Sequence, residues 1–333
     1  ELDESSYYLS EMITSIDRAV LRVMFQWVAI VALLGTPASS LSARRVLVVG
    51  GNGRVGGSTA KYLHLLSTSS GESPVELVLG GRSKETFKMS KQRILRQLAD
   101  DSVKDLPSIE FQELDLDGPA GSLEEALQQC KAKCVVHTAG PFQQREDPAL
   151  MRAAISCGLP YVDVCDEVAL CEAGKKLDAE AKAKGTVAVV AGGIWPGASA
   201  LMAAEVIAKL RELDAQGSSS GDSSGEMLEG PCEGEKVDLS FFTAGTGNAG
   251  ATIVSATFLL LCQPALTFVA GKLNEKEPWS EPLEVDFGKG VGVRTVRLLD
   301  NPDVYTIQSA LKVPTLCSRF ATAPGCAPSG ERP

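Results

Sequence analysis

The sequence predicts an α/β protein, a doubly wound parallel sheet followed by a second, smaller α+β substrate domain. Three observations predict it. The apolar run Val46–Val49 meets the glycine cluster of RVLVVGGNGRVGG at 45–57 and then a helical pattern. Six β-then-α repeats follow in order up to residue 197, the pattern of a parallel sheet with crossover helices. The residues of unusual chemistry gather at the carboxyl ends of the expected strands, as GGNGRVG, GGRSK, Asp115, AGPF, DVCDE and GGIWPG, which is where ligands of open α/β sheets bind.

The first turn fits two glycine registers, Gly50-x-x-Gly53-x-x-Gly56 and Gly51-x-Gly53-x-x-Gly56. Glycines make such a turn tight and let the backbone approach a phosphate, and the next helix offers free N–H groups and the positive end of its dipole. Gly50, Gly51, Asn52, Gly53, Arg54, Val55 and Gly56 are therefore candidate contacts for a dinucleotide pyrophosphate. A plain tight βα turn is the alternative. A bare GxGxxG is weak; one that follows a β-run and opens a helix is much stronger. The unit is thus expected to be a Rossmann domain spanning residues 44–196.

The second strand, VELVL at 75–79, ends in Gly80-Gly81-Arg82-Ser83-Lys84. An NAD-binding unit carries an acid at this strand end to hold the ribose 2′-hydroxyl. Here the Arg82 guanidinium and the Ser83 hydroxyl suit a 2′-phosphate, which a carboxylate would repel. NADP(H) is the expected cofactor, with ordinary solvated cations at Arg82 and Lys84 as the alternative.

The other elements of this domain follow from pattern. A helix is expected at 57–66, an amphipathic one at 86–99, an alternating strand at 109–116 and a short helix at 122–130. The strand Cys134–Thr138 ends in Ala139, Gly140, Pro141 and Phe142, expected beneath the nicotinamide half of the cofactor. Asp147 reads as an N-cap with Pro148 at the first helical position, and Gly158 stops that helix. Strand Tyr161–Val164, a helix at 168–184 and strand Val187–Ala191 complete the set. Asp115 is read either as an acceptor for the adenine edge or as a turn carboxylate.

Residues 197–333 form the expected substrate domain, with a helix at 198–213 and a flexible Gly/Ser insertion at 217–235. GSSSG and GDSSG in that insertion match G-x-S-x-G formally, but without the strand and helix a nucleophile elbow needs. A second glycine motif, Gly245-x-Gly247-x-x-Gly250, follows VDLSFF. It stays open as an anion-binding turn, a second dinucleotide site or a close-packed loop. EPLEVDF and GVRTVRLL fit antiparallel strands, and the chain turns proline-rich after Thr322.

Composition excludes some classes. The net charge is −10 and no basic patch stands out, so nucleic acid is not an expected partner. Nine cysteines include the spacings Cys130-x3-Cys134 and Cys165-x5-Cys171, which match no zinc or redox motif. The two histidines, His64 and His137, read as structural, and no metal site is expected. Residues 1–43 read as a leader or disordered extension, because VMFQWVAIVALL at 23–34 is of signal-like length and too short for a stable membrane span. A plastid or another organelle is the expected destination, with the cytoplasm or the secretory pathway as alternatives. A small-molecule substrate is the expected partner, and homo-oligomerisation stays open.

With VLVVGGNGRVG, GGRS, VVHTAGPF, ALMRAAISCGLPYVDVCDE and GGIWPGASALMA in that order, the chain resembles the saccharopine dehydrogenase-like oxidoreductases over about residues 45–322. VDLSFFTAGTGNAG and LKVPTLCSRFATAP look like substrate-domain segments of a plastid- and bacteria-associated branch. The resemblance implies an NADP-binding Rossmann domain, an inserted or following α/β domain and an active site between them. Members similar to this chain continue past the RFxTAP-like segment, so a C-terminally truncated second domain is expected. Saccharopine, with its several carboxylates, needs cationic clamps. The second domain has few arginines, Arg211, Arg294, Arg297 and Arg319 among them, so saccharopine itself is not the expected substrate.

The resulting expectation is an NADP(H)-dependent oxidoreductase that moves hydride to or from a carbonyl or imine carbon. The alternative is a non-catalytic NADP(H)-binding sensor or scaffold. No tyrosine has a lysine four residues on, so a Tyr-x-x-x-Lys proton donor is missing and no catalytic residue is assigned. Asp163, Asp166 and Glu167 at a strand end are read either as acid–base groups or, for Asp163 and Glu167, as loop and cap ligands.

Overall fold

The computed structural model describes residues 45–69, 75–217, 235–245 and 251–324. They fall into two compact units that divide between Ile194 and Trp195. The leader, most of the Gly/Ser insertion, most of the second glycine motif and the proline-rich end lie outside the described residues.

The first unit is the doubly wound parallel sheet. Its elements are β1 (Arg45–Val49), α1 (Arg54–Ser69), β2 (Glu76–Gly81), α2 (Lys84–Asp100), β3 (Ile109–Glu113), α3 (Ser122–Gln129), β4 (Cys134–His137), α4 (Ala149–Ser156), β5 (Tyr161–Asp163), α5 (Val168–Lys175), α6 (Asp178–Ala183) and β6 (Ala188–Val189). The strand order is β3-β2-β1-β4-β5-β6, and every pairing is parallel. The chain therefore reverses direction across the sheet between β1 and β4, the switch point at which open α/β sheets bind ligands.

Period-two alternation sorts the strands onto two buried faces. Leu47, Val49, Val78 and Val135 pack with α3 and α4, while Val46, Val48, Leu77 and Leu79 pack with α1 and α2. On α2, Ile94 and Leu98 are fully buried at i and i+4, so the expected amphipathic face is the one that packs.

Several boundaries differ from expectation. The helix after the glycine loop begins at Arg54, not at 57. The helix expected at 168–184 is two helices, because Leu177 turns into the core between them and caps the second. Asp147 is not the N-cap of α4. Pro148 occupies that position, and Asp147 pairs with Arg152 at 2.9 Å. The strand expected at 187–191 keeps only Ala188–Val189 in its ladder, since Ala191 takes a positive φ of 56°.

The second unit contains α7 (Ala198–Gly217), β7 (Lys236–Gly245), α8 (Ala251–Leu260), β8 (Ala265–Val269), β9 (Lys272–Lys276), β10 (Leu283–Asp286), β11 (Val293–Leu298), α9 (Pro302–Leu311) and β12 (Thr315–Pro324). Its sheet runs β10-β11-β12-β8-β9, with β7 against β12. The expectation of antiparallel strands holds for all but one pairing. β7 and β12 run parallel in unbroken register from Lys236↔Thr315 to Gly245↔Pro324. The long intervening chain makes that parallel crossover possible. The RFAT segment, after which the chain turns proline-rich, is part of a central strand. Phe268, Val304, Ile307, Val313 and Leu316 form the core under α7 and α9. Among the described residues no helix is long and apolar enough to cross a membrane.

Candidate dinucleotide-binding site

The loop between β1 and α1 is fixed by its own backbone. Gly50 N–H donates to the Gly80 carbonyl at 3.0 Å, Gly51 N–H to Val48 at 3.0 Å, and Gly53 N–H to Gly50 at 2.8 Å. Three glycines are required here by space, Gly51 among them, since a Cβ on it would lie 2.8 Å from the Val48 carbonyl oxygen. Gly50 has φ +81°, and a Cβ on it would lie 2.8 Å from the Ala139 nitrogen. A Cβ on Gly56 would press on the Gly50 carbonyl oxygen and sit 2.6 Å from Thr138 Oγ1. Gly53 differs, since its added Cβ meets only the Gly50 oxygen at 3.1 Å. Gly53, Arg54 and Val55 are exposed, and Gly51 and Gly56 are buried. The loop therefore packs on one side and presents a bare backbone edge on the other, beside the N-terminus of a 16-residue helix. That is a cradle an anion can approach.

Contacts to α2 hold the loop in place, and these were not read from sequence. Asn52 Nδ2 donates to the Ser83 carbonyl and to Thr86 Oγ1, both at 3.2 Å. Ser90 Oγ donates to the Asn52 carbonyl at 2.5 Å, and Arg93 Nη2 to the Gly53 carbonyl at 2.8 Å. Asn52 thus serves the loop with its side chain rather than facing outward. The only local signal is that Ser90 and Arg93 stand three apart on one helix.

Arg82 is exposed immediately beyond β2. Ser83, expected as a phosphate partner, is the N-cap of α2. Its hydroxyl accepts from Thr86 N–H at 3.2 Å and lies 3.3 Å from Glu85 Oε2. Capping residues do this because the first helical amides have no other partner. Of the pair, Arg82 is the side chain left facing solvent at the strand end. Asp115 is exposed, and its carboxylate accepts from the Asp117 amide at 3.2 Å. That is the turn-carboxylate alternative.

Ala139, Gly140 and Pro141 are half-buried beyond the end of β4. Phe142 is not available as a ring contact. It is 4% exposed and packs in the core with Cys165, Leu170 and Cys171. Of the three acids at the end of β5 and just beyond it, Asp163 Oδ1 accepts from the amides of Cys165 and Ala191, and Glu167 caps α5 by accepting from Ala169 N–H at 3.3 Å. Both therefore do the loop and cap work. Among the described residues no group of His, Cys, Asp and Glu could hold a metal ion, and the cysteines are unpaired.

Burial sets the titration of this unit. It pushes Asp163 and Asp166 up to about 6 and His137 down to about 4. In the second unit it pushes Asp303 up to about 6. A carboxyl raised on folding binds its proton more tightly folded than unfolded, so stability grows as pH falls through about 6. His137 works the other way and loses stability as pH falls from 6.5 towards 4. The carboxyls outnumber it. The fold is expected to be more stable at pH 5.5 than at pH 7.5, by roughly 1 kcal/mol, and to unfold at a higher temperature there. Asp303→Asn should shrink the difference, and calorimetry at the two pH values checks both.

Residues 46–189 match the family model described as the saccharopine dehydrogenase NADP binding domain. Three solved structures are similar at low identity. An oxidoreductase domain protein from Kribbella flavida is 16% identical, over 84% of this chain and 68% of that one, with a TM-score of 0.36. Glucose-6-phosphate 1-dehydrogenase from Mycobacterium avium is 7% identical, over 84% and 70%, also at 0.36. A Bacteroides fragilis protein is 15% identical, over 87% and 70%, at 0.29. A search of curated proteins found no significant match. The matched stretch runs from β1 to β6, the parallel sheet with its glycine loop, and covers less than half of the chain.

Proposed function

We propose that the chain is an NADP(H)-dependent oxidoreductase of the saccharopine dehydrogenase-like type, moving hydride to or from a carbonyl or imine carbon of a small metabolite. The observation that carries it is the glycine loop, packed behind and bare in front at Gly53, with Arg82 where an NAD-binding unit would place an acid. In this reading the loop amides and the α1 N-terminus hold the pyrophosphate. Arg82 neutralises the 2′-phosphate, which α2's capped N-terminus also favours. The backbone of Ala139, Gly140 and Pro141 supports the ring. The bound cofactor supplies hydride chemistry; the chain supplies orientation.

The second reading is a non-catalytic NADP(H) sensor. It is favoured by the carboxylates of Asp115, Asp163 and Glu167, each of which already accepts a structural hydrogen bond. A screen of small carbonyl and imino acids, followed by loss of NADPH absorbance, separates the two. Turnover supports the enzyme; binding without turnover of any class supports the sensor. Arg82→Ala is expected to weaken NADPH binding about 10- to 100-fold, the loss of one charge-assisted contact, and to leave NADH binding unchanged. Equal losses for both would contradict the role of Arg82. Import into a plastid through residues 1–43 is carried forward as part of this reading. A fluorescent fusion of that segment tests it.

A further inference from the structure

Three acids stand at the end of β5 and just beyond it, and two of them are taken. Asp163 accepts from two backbone amides, and Glu167 caps α5. Asp166 lies between them, half-buried, and caps no helix. Its carboxyl meets its own amide and the side-chain amide of Gln143. Gln143 comes from the loop after β4, two residues past Pro141. It is 3% exposed, and its side chain has no other hydrogen-bond partner among the described residues. A buried side-chain amide without a partner is costly, so Gln143 and Asp166 hold each other in place.

The strand order sets which half of a dinucleotide this pair meets. With the pyrophosphate on the loop after β1 and the 2′-phosphate on Arg82 after β2, the adenosine half lies over β2. β4 and β5 lie on the other side of β1, so the nicotinamide half extends across their carboxyl ends. The backbone of Ala139 to Pro141 and the loop that carries Asp166 both follow those ends.

Burial pushes the Asp166 carboxyl up to about 6, close to neutral pH, where a general acid is most effective. The charged groups that bear on it are Glu167 beside it and Asp163 at the end of β5, both acids. The loop after β4 sets the neutral Gln143 against it.

We propose, on the cofactor reading above, that Asp166 is the proton donor of the hydride transfer, with Gln143 as the residue that positions its carboxyl. As the carbonyl or imine carbon accepts hydride from the reduced nicotinamide, the electron pair of its double bond passes to oxygen or nitrogen. The O–H bond of Asp166 breaks and gives that atom its proton. The substrate is reduced at the expense of the nicotinamide. The Asp166 carboxylate regains a proton from solvent, which its half-exposed position allows.

The test needs no substrate. The oxidised nicotinamide ring carries a positive charge and the reduced ring none, so a carboxylate beside the ring favours NADP⁺ over NADPH. Isothermal titration of the full chain with each nucleotide, at intervals from pH 5 to pH 7.5, reads this preference. The ratio of NADP⁺ to NADPH affinity should rise about 3- to 10-fold across that range as Asp166 ionises. The 2′-phosphate is common to both nucleotides and cancels in the ratio. Asp166→Asn should flatten the rise, and Asp166→Glu should restore it. Gln143→Leu should move its midpoint to higher pH, because the amide favours the ionised carboxyl. A ratio that stays flat in the unsubstituted protein, or rises equally in Asp166→Asn, would overturn the assignment of Asp166 and leave the cofactor reading standing. A midpoint unmoved in Gln143→Leu would overturn the positioning role. Binding of neither nucleotide by folded protein would overturn the cofactor reading and the proton donor together.

Discussion

Gly56→Ala is expected to destabilise the first unit by roughly 3 kcal/mol, whatever the ligand. The added methyl would press on the Gly50 carbonyl oxygen and sit 2.6 Å from Thr138 Oγ1 and 2.7 Å from the Gly50 carbonyl carbon. Two of these neighbours are backbone in a loop with no slack, so relief must come from moving α1 off β1 or from swinging Thr138 away. The second route breaks the Thr138 Oγ1 bond to the Val49 carbonyl at 2.8 Å. Overpacking costs about 1–3 kcal/mol and a lost hydrogen bond about 1 more. Gly53→Ala is the matched control. Its methyl meets a single atom at 3.1 Å, so the fold should hold to within about 1 kcal/mol. Dinucleotide affinity should nonetheless fall at least tenfold, because the methyl stands on the exposed edge. Urea unfolding followed by circular dichroism, with a binding titration on each variant, separates the two glycines. A stable Gly56→Ala would show that the loop is not packed as described.

Asp163→Ala is expected to cost about 4 kcal/mol. The carboxylate is the acceptor for two backbone amides and a buried hydroxyl. Truncation leaves all three donors without a partner inside the fold, and each unsatisfied group costs about 1–3 kcal/mol. The Ala191 amide matters most for geometry, because it ties the end of β6 to β5 from a residue with positive φ. Asp163→Asn keeps one oxygen for the amides and should recover most of the loss. Equal damage from both variants would mean that the charge, not the acceptor geometry, is what the fold requires.

How far the sequence could be read depended on whether the determinant was local. The glycine loop, the six β-then-α repeats and the basic end of β2 are each set by a few neighbouring residues, and the parallel sheet follows from them; its strand order is seen only in the structure. Ser83 was legible as a special residue, but its N-cap role was missed because the start of α2 was placed two residues late. The clamp of Asn52, Ser90 and Arg93 on the loop joins residues about 40 apart, and its only local trace is the three-residue spacing of Ser90 and Arg93. The parallel pairing of β7 with β12 joins segments 79 apart, so alternation within either strand says nothing about its direction. His137 shows the same limit. A histidine inside an apolar strand reads as core, and only the β4–β5 register brings it to Tyr161 and Asp163. Phe142 was misplaced for the opposite reason. Its neighbours Ala139 to Pro141 mark the strand end correctly, but the chain turns the aromatic ring inward.

The central claim is that the loop at 50–56 and Arg82 together bind NADP(H). Isothermal titration of the full chain with NADPH and with NADH tests it most directly. The account predicts that NADPH binds at least about tenfold more tightly, as one charge-assisted contact warrants, and that Arg82→Ala removes the difference. Equal affinities, or no heat from a folded protein with either nucleotide, would contradict it.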